Sequence, residues 1–542
     1  MSTSEFGPDA LASAETAALL TRMANAMFSA LPTEGPPAGP LLAAAAQTQE
    51  EAVTAAARSA VEFAPAPIPL PGEAELRPLL ASNFSARRPA FPAASEGPGG
   101  ALYFLEGAGT AHRAVHSLDT SSPVPKPVQQ AAHPPFDVER VRRDFPILQE
   151  RVNGRPLIWL DNGATTHKPQ AVIDRLVHFY RHENSNIHRA AHTLAARATD
   201  AYEAAREKVR RFINASSIEE IVFVRGATEA INLVAQTWGR KNIGADDEII
   251  VTWLEHHANI VPWQMLCRET GARLRVVPVD DRGQVLLEQY ERLLGPRTRL
   301  VAFSHVSNAL GTVTPAARMI EMARRYDAKV LVDGAQAVSH MRTNVRGLDC
   351  DFYAFSGHKM FAPTGIGVLY GKRDVLDGMP PWQGGGNMIR DVSFEHTEYQ
   401  DPPLRFEAGT GSIADAVGLG SAIDYLERIG LGNIAAYEHQ LLAYATRRLA
   451  AIPGLRPIGT AAEKAAVLSF VLDGFRSEDV GAALNQEGIA VRAGHHCAQP
   501  ILRRFGLEST VRPSLAFYNT TAEIDALAAA LLRIVSRRPN LA

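Results

Sequence analysis

Between Ile221 and Gly371 short apolar runs alternate with helix-patterned segments, and few architectures accommodate that alternation. The runs are Ile221–Arg225 (IVFVR), Glu248–Trp253 (EIIVTW), Arg299–His305 (RLVAFSH), Lys329–Val332 (KVLV) and Phe352–Phe355 (FYAF). ATEAINLVAQTWGR, ANIVPWQMLCRETG and PAARMIEMARRYD, lying between several of them, carry helical patterns. Strands apolar at nearly every position are buried on both faces, which requires a mainly parallel sheet with helices on each side. Ligand-binding residues of such an α/β sheet gather at the carboxyl ends of the strands.

The flanking regions differ in texture. Residues 1 to about 135 are rich in Ala and Pro, broken by GPPAGP, APAPIPLP and SEGPGG. Helical leanings at Asp9–Leu31 and Leu41–Phe63 are Ala-heavy and interrupted, so a disordered extension is expected rather than a packed core. Within it Ala101–Gly107 (ALYFLEG) is an apolar cluster, which a plain spacer does not need and a recognition segment does. FDVERVRRDFPIL then predicts an amphipathic opening helix, PLIWLDN a strand and Thr193–Phe212 a long helix. Beyond about Gly430, LGNIAAYEHQLLAYATRRLAAIPG predicts a helix, VLSFVLDG and STVRPSLAFYNT predict strands, and EDVGAALNQEGIAVRAGHHCAQP a helix, strand and loop. The expected division is an extension over 1–134, a large domain over 156–424, and a smaller α+β domain from 135–155 and 425–542.

Composition excludes several classes. A chain of 542 residues with a net charge of −3 has no electrostatic reason to bind nucleic acid or an anionic membrane. No apolar run approaches the ~20 residues needed to span a bilayer, and MSTSEFGPDA lacks the basic and apolar blocks of a secretory signal. Cys267, Cys350 and Cys497 form neither a disulfide framework nor a metal-ligand cluster. A cytoplasmic, reducing compartment is the expectation, with any exposed cysteine a possible reagent.

Asp351–Gly371 (DFYAFSGHKMFAPTGIGVLYG) reads as a buried strand, a polar turn with Ser356, His358 and Lys359, and a Gly-rich return strand. Burial penalises an ammonium, and a neutral amine attacks aldehydes, so Lys359 is a candidate Schiff-base lysine. In IVFVRGATEAINLV, Ala227 and Thr228 open a helix, whose free N–H groups suit a phosphate; simple N-capping by Thr228 explains that segment equally well. His256, past the next strand, offers a flat ring for stacking on an aromatic cofactor. Its neighbour His257 suggests a metal pair, but no third ligand has suitable spacing. Asn308 occupies the corresponding position after another strand. Asp333 and Gln336, in VLVDGAQAVSH, close the set, because a carboxylate at a buried strand end needs a cation such as a protonated ring nitrogen. Pyridoxal 5′-phosphate wants all of them: its aldehyde meets Lys359, its nitrogen Asp333, its ring oxygen Gln336, its face His256, and its phosphate Thr228, Ser356 and His358. Far downstream, VRAGHHCAQP sets Cys497 in a glycine-opened loop with Arg492, His495 and His496 nearby; basic neighbours favour thiolate, and the polar loop suggests exposure. Arg512 suits a carboxylate.

From about Pro135 onward the sequence resembles the SUF-type (group II) cysteine desulfurases of the class V aminotransferases, with fold type I. The resemblance rests on LDNGATTHKP, NIHRAAHTLA, RGATEAINLVA, EHHANIVPW, VDGAQ, SGHKMFAPTGIGVLYG, RFEAGTGS and RAGHHCAQP, all in the family's order. It implies that Lys359 carries the cofactor and that Cys497 takes sulfur from L-cysteine as a persulfide, leaving alanine. His256 then stacks on the ring and assists proton transfer, Asp333 and Gln336 tune it, and Ala227, Thr228, Ser356 and His358 hold the phosphate. Asn308, Arg492 and Arg512 hold the substrate carboxylate. Thr410 reaches the phosphate of a partner subunit, implying a homodimer, and a SufE- or SufU-like protein accepts the sulfur for iron–sulfur cluster assembly. FEAGTGS departs from the family's usual FEAGTPN, so the loop after Thr410 is open to difference. The extension resembles the leaders of family 2 encapsulin cargo, which implies loading of residues 1–134 into an encapsulin shell. A selenocysteine lyase or another class V enzyme shares the cofactor constellation. A non-catalytic assembly protein has no physical need for Lys359, Asp333 and Cys497 together.

Overall fold

The apolar runs assemble into one seven-stranded sheet in the computed structural model, which describes residues 136–188 and 192–537. The helical leanings and the apolar cluster of the extension lie outside the described residues. The strands are β1 (Ile221–Val224), β2 (Glu248–Thr252), β3 (Arg273–Val277), β4 (Thr298–Ser304), β5 (Lys329–Asp333), β6 (Phe352–Ser356) and β7 (Gly367–Gly371), in the order β1-β7-β6-β5-β4-β2-β3. Pairings among β2 to β6 are parallel, whereas β7 runs antiparallel to both β1 and β6. Sequence patterning misses β3: as an edge strand it keeps its arginines toward water and lacks a continuous apolar run.

Alternation along each strand divides the core in two. Phe223, Ile250, Val301, Val330, Phe355 and Val368 join one buried cluster, while their neighbours Val222, Ile249, Leu300, Leu331, Ala354 and Leu369 join another on the opposite face. Helices α1 (Gln170–His182), α2 (Thr193–Phe212), α5 (Ala316–Arg324) and α6 (Ile413–Ile429) pack on the first face, and α3 (Ala227–Val234) and α4 (Val261–Thr270) on the second. Helix α2 buries Ala195, Ala198, Tyr202, Ala205, Arg206, Val209 and Phe212, one stripe at helical spacing. The buried Arg206 is held by Glu407 through two bonds of 2.7 and 3.0 Å, and Glu407 also accepts from the Phe223 amide at 2.7 Å. That pair ties α2 and β1 to the segment carrying Thr410.

A second, antiparallel sheet of order β8-β9-β11-β10 comes from β8 (Leu455–Ile458), β9 (Ser469–Leu472), β10 (Arg492–Gly494) and β11 (Thr510–Arg512). Helices α7 (Leu431–Ala450) and α8 (Thr521–Ser536) pack on it around Leu441, Phe470, Val511 and Leu527. The strand expected through STVRPSLAFYNT ends at Arg512, because Pro513 has no N–H to continue a ladder. PLIWLDN is not one strand: Ile158–Trp159 pairs in parallel with Ile489–Ala490, while Pro156 pairs with Arg151 and Asp161 bridges to Ser514. The opening helix is cut to Val138–Arg143, and Pro146 starts a 3₁₀ turn instead of extending it. Phe145, at that break, is buried against Tyr518, Tyr425, Phe361 and Phe517.

Strand β7 can lie against β1 only because Gly367 and Gly226 lack side chains. A Cβ on Gly367 would come within 2.5 Å of the Gly226 Cα and 2.6 Å of the Phe355 carbonyl oxygen. Gly367→Ala is therefore expected to lower unfolding free energy by about 1–3 kcal/mol in urea melts, the usual cost of overpacking. Gly432→Ala, where nothing lies within 4 Å, serves as the control and should not destabilise. Equal stability of Gly367→Ala and wild type would contradict the packing.

Candidate active site

The carboxyl ends of β1, β2, β4, β5 and β6 converge on a cavity of about 200 Å³, closed on its far side by residues of β10 and β11. Its walls include Ala227, Thr228, His256, Asn308, Asp333, Gln336, Ser356, His358, Lys359, Arg492, Cys497 and Arg512. These are all of the anticipated site residues except Thr410. Lys359 follows β6 in a single 3₁₀ turn, and Asp333 is the last residue of β5. Register places Ala354 of β6 beside Asp333 and Ser304 of β4 on its other side.

Burial and charge set the protonation states. Desolvation pushes the Lys359 ammonium below its ordinary pKa; Asp333 opposes that shift, and Arg512 and Arg492 add to it. Asp333 is buried, accepts a hydrogen bond from the Ala335 amide at 2.9 Å, and has its pKa raised by the same desolvation. A protonated ring nitrogen would supply the cation this carboxylate needs. Burial, followed by Lys359, pushes His256 down to about 3. The His256 ring is therefore neutral, and because Nδ1 accepts from the Ala258 amide at 3.1 Å, its proton resides on Nε2. His358 is lowered to about 4, chiefly by burial, and packs with Thr165. Ser356 Oγ accepts from the Ala227 amide at 2.9 Å, and a Cβ on Gly226 would come within 3.1 Å of that oxygen. This small-residue turn leaves backbone N–H groups open to an anion at the start of α3. Amine, buried carboxylate, flat neutral ring and amide-lined turn together fit pyridoxal 5′-phosphate.

Cys497 is half-buried rather than exposed, because its loop is pinned from both layers. Asn308 Nδ2 donates to the His496 carbonyl at 2.6 Å, and the His257 amide donates to the Cys497 carbonyl at 2.8 Å. The Cys497 amide donates to His495 Nδ1 at 3.0 Å, and the His496 ring bonds Thr510 at 2.8 Å. His496 and Cys497 both adopt left-handed backbone, with φ of 54° and 55°, a conformation that surrounding bonds must hold in place.

Arg512 is buried, donating to the Asn308 carbonyl and to Asp161, each at 2.9 Å. Its Nε and Asn308 Oδ1 are buried without a partner. Arg492 lies beside Arg512 in register across β10 and β11, so two cations face one wall, as a carboxylate-bearing ligand requires. Thr410 is exposed in a different cavity of about 530 Å³ with Arg225, Asn387 and Glu407.

Sequence reasoning missed three residues. Asp161 and Gly163 belong to the LDNGATT run, and a Cβ on Gly163 would come within 3.2 Å of the Arg512 guanidinium. Gln336 Nε2 also donates to the Gly163 carbonyl at 2.6 Å. Glu255, one residue before His256, is fully buried and accepts from Thr252 at 2.5 Å and from Asn259 and Ser304 at 2.7 Å. Nothing in its sequence context distinguishes it from a solvated acid.

Residues 158–527 match the family described as Aminotransferase class-V. A cysteine desulfurase of Synechococcus elongatus is 67% identical over 450 residues, covering 81% of this chain and 72% of that protein. A cysteine desulfurase of Dickeya dadantii is 54% identical over 400 residues, covering 74% of this chain and 97% of that one. Among solved structures, the cysteine desulfurase CsdA of Escherichia coli aligns with a TM-score of 0.69 at 40% identity, over 74% of this chain and 99% of that one.

Glu255 yields a pH prediction. Burial without a cation raises its pKa to about 7 against the donors that favour ionisation. A carboxyl with a raised folded pKa contributes stability that is present at acid pH and lost as pH rises toward that value. Relative to Glu255→Gln, the wild type should lose roughly 3 kcal/mol of unfolding free energy between pH 4.5 and 7, then level off. Parallel curves for the two proteins in chemical denaturation would contradict this.

Proposed function

The chain belongs to the class-V aminotransferase family as a pyridoxal 5′-phosphate-dependent cysteine desulfurase, and on that premise we propose that Lys359 holds the cofactor and Cys497 receives the sulfur of L-cysteine. The observation that carries this reading is that Lys359, Asp333, Arg512 and Cys497 face one cavity of about 200 Å³. When bound, the cofactor supplies an electron sink for the pair left at the substrate α-carbon.

With the cofactor bound, Asp333 would hold the positive charge of its ring nitrogen and Gln336 would hold its ring oxygen. His256, a neutral imidazole with its proton on Nε2, would hold its face and be available for proton transfer. Lys359, its pKa lowered chiefly by burial, is placed to exchange a proton at Nζ. Ala227, Thr228, Ser356 and His358 would hold the phosphate, while Arg512, Arg492 and Asn308 would hold the substrate carboxylate. That grip aims the substrate sulfur at Cys497. Its thiolate attacks that sulfur: an S–S bond forms, the C–S bond breaks, and the bond's electron pair stays with carbon, which is protonated to give alanine. The pinned left-handed loop keeps Cys497 Sγ in line and half-shielded from water.

The SUF-type motifs support a place within that group, with a SufE- or SufU-like acceptor, service to iron–sulfur cluster assembly and a cytoplasmic setting. Exposure of Thr410 in a cavity apart from Lys359 supports a homodimer in which this residue serves the partner's cofactor. The presence of two separate sheets, over 221–371 and 455–512, supports a division into 156–424 and 135–155 with 425–542. The Ala/Pro-rich composition of residues 1–134 supports a leader that loads the enzyme into an encapsulin shell.

Cys497→Ala is expected to keep the visible imine absorbance and to lose sulfide release from L-cysteine by more than about 100-fold, the scale of removing an essential nucleophile. Lys359→Ala should lose the absorbance itself. Sulfide release unchanged in Cys497→Ala would remove the persulfide route. Deleting residues 1–130 should leave alanine formation intact and abolish co-purification with the shell protein; persistent co-purification would remove the targeting role.

A further inference from the structure

Helix α7, strands β8 and β9 and the connection between them line another, solvent-open cavity, of about 340 Å³, which shares no lining residue with the Lys359 site. Leu442 and Leu449 of α7, Leu455 of β8, Leu468, and Phe470 of β9 make its walls apolar. Into this space faces one cation, Lys464. Its Nζ donates to the Leu310 carbonyl and, at 2.6 Å, to the Gly459 carbonyl. Desolvation lowers its pKa to about 8, and no neighbouring charge offsets that shift.

Lys464 is half-buried, and an ammonium partly desolvated by apolar walls ordinarily has a carboxylate partner, because carbonyls alone do not balance its charge. Among the described residues none pairs with Lys464, although exposed acids such as Glu463 are adjacent in sequence. His439, exposed on α7, also borders the cavity. An apolar-walled cleft in the size range of small-molecule sites, with one cation lacking a carboxylate partner among the described residues, selects for a particular shape of molecule.

We propose that this cavity binds a small amphiphilic monocarboxylate, its unbranched aliphatic chain among the leucines and its carboxylate on Lys464. Burial of apolar area predicts affinity rising roughly fourfold per methylene until the space is filled. The competing explanation, that Lys464 only ties the Leu310 and Gly459 turns together, predicts no preference for an anionic head.

The test is calorimetric titration of the full-length holoenzyme with octanoate, decanoate, 1-decanol and decylamine. Saturable binding is expected for decanoate, at least tenfold tighter than 1-decanol and roughly 15-fold tighter than octanoate, with decylamine weakest. Lys464→Met should erase the preference of decanoate over decanol without changing desulfurase turnover. Ala443→Phe, which fills the cavity from its α7 wall and leaves Lys464 in place, should weaken every probe. Decanoate binding no tighter than decanol, a preference surviving in Lys464→Met, or undiminished binding in Ala443→Phe would each overturn the proposal. The last arm holds even where Lys464→Met fails to fold.

Discussion

One buried guanidinium holds the two layers in working relation. Arg512 extends from β11 to the carbonyl of Asn308, beyond β4, and to the carboxylate of Asp161, before α1. Burial raises the Asp161 pKa and lowers that of Arg512 even though the two are paired. Desolvation therefore outweighs their attraction, and the contact is a poor source of stability. Its value is positional. Asn308, fixed through its backbone by Arg512, uses its side chain to hold His496 and so the Cys497 loop. That chain of contacts, together with the His257 amide on the Cys497 carbonyl, sets the thiol beside the amine and the carboxylate.

The cavity also lowers the pKa of its basic groups beside two guanidinium cations. Lys359, His256, His358 and His496 are all shifted down, with burial the first cause in each case. Arg492 and Arg512 line one part of the cavity and the buried carboxyl of Asp333 another. A ligand with an anionic end and a protonated ring would meet complementary charge at both. Preorganised charge in a site shielded from water acts more strongly than the same charge in solvent.

Much of this was legible in the linear chain. The doubly buried strands announced an α/β sheet, and chemistry-bearing residues at their ends announced the cofactor, because both follow from local pattern and the rule that such sites open at strand ends. Thr193–Phe212 was readable as a helix from its stripe alone. What stayed hidden depended on context. Edge strand β3 has no double burial to declare itself. Glu255 looks like any acid until three donors and full burial surround it. Cys497 lies in a polar, glycine-bearing loop that reads as open, and only contacts from His257 and Asn308 close it down.

The sequence by itself determined which atoms are available: the amine of Lys359, the carboxylate of Asp333, the thiol of Cys497, and a sheet able to present the first two. Tertiary structure alone decided that residues more than a hundred positions apart share one cavity, that a guanidinium from the second sheet faces it, and that the thiol is half-shielded. The physical reason is range. Periodicity and turn chemistry act over a few residues, whereas desolvation, ion pairing and loop pinning depend on which distant segments the packed core brings into contact.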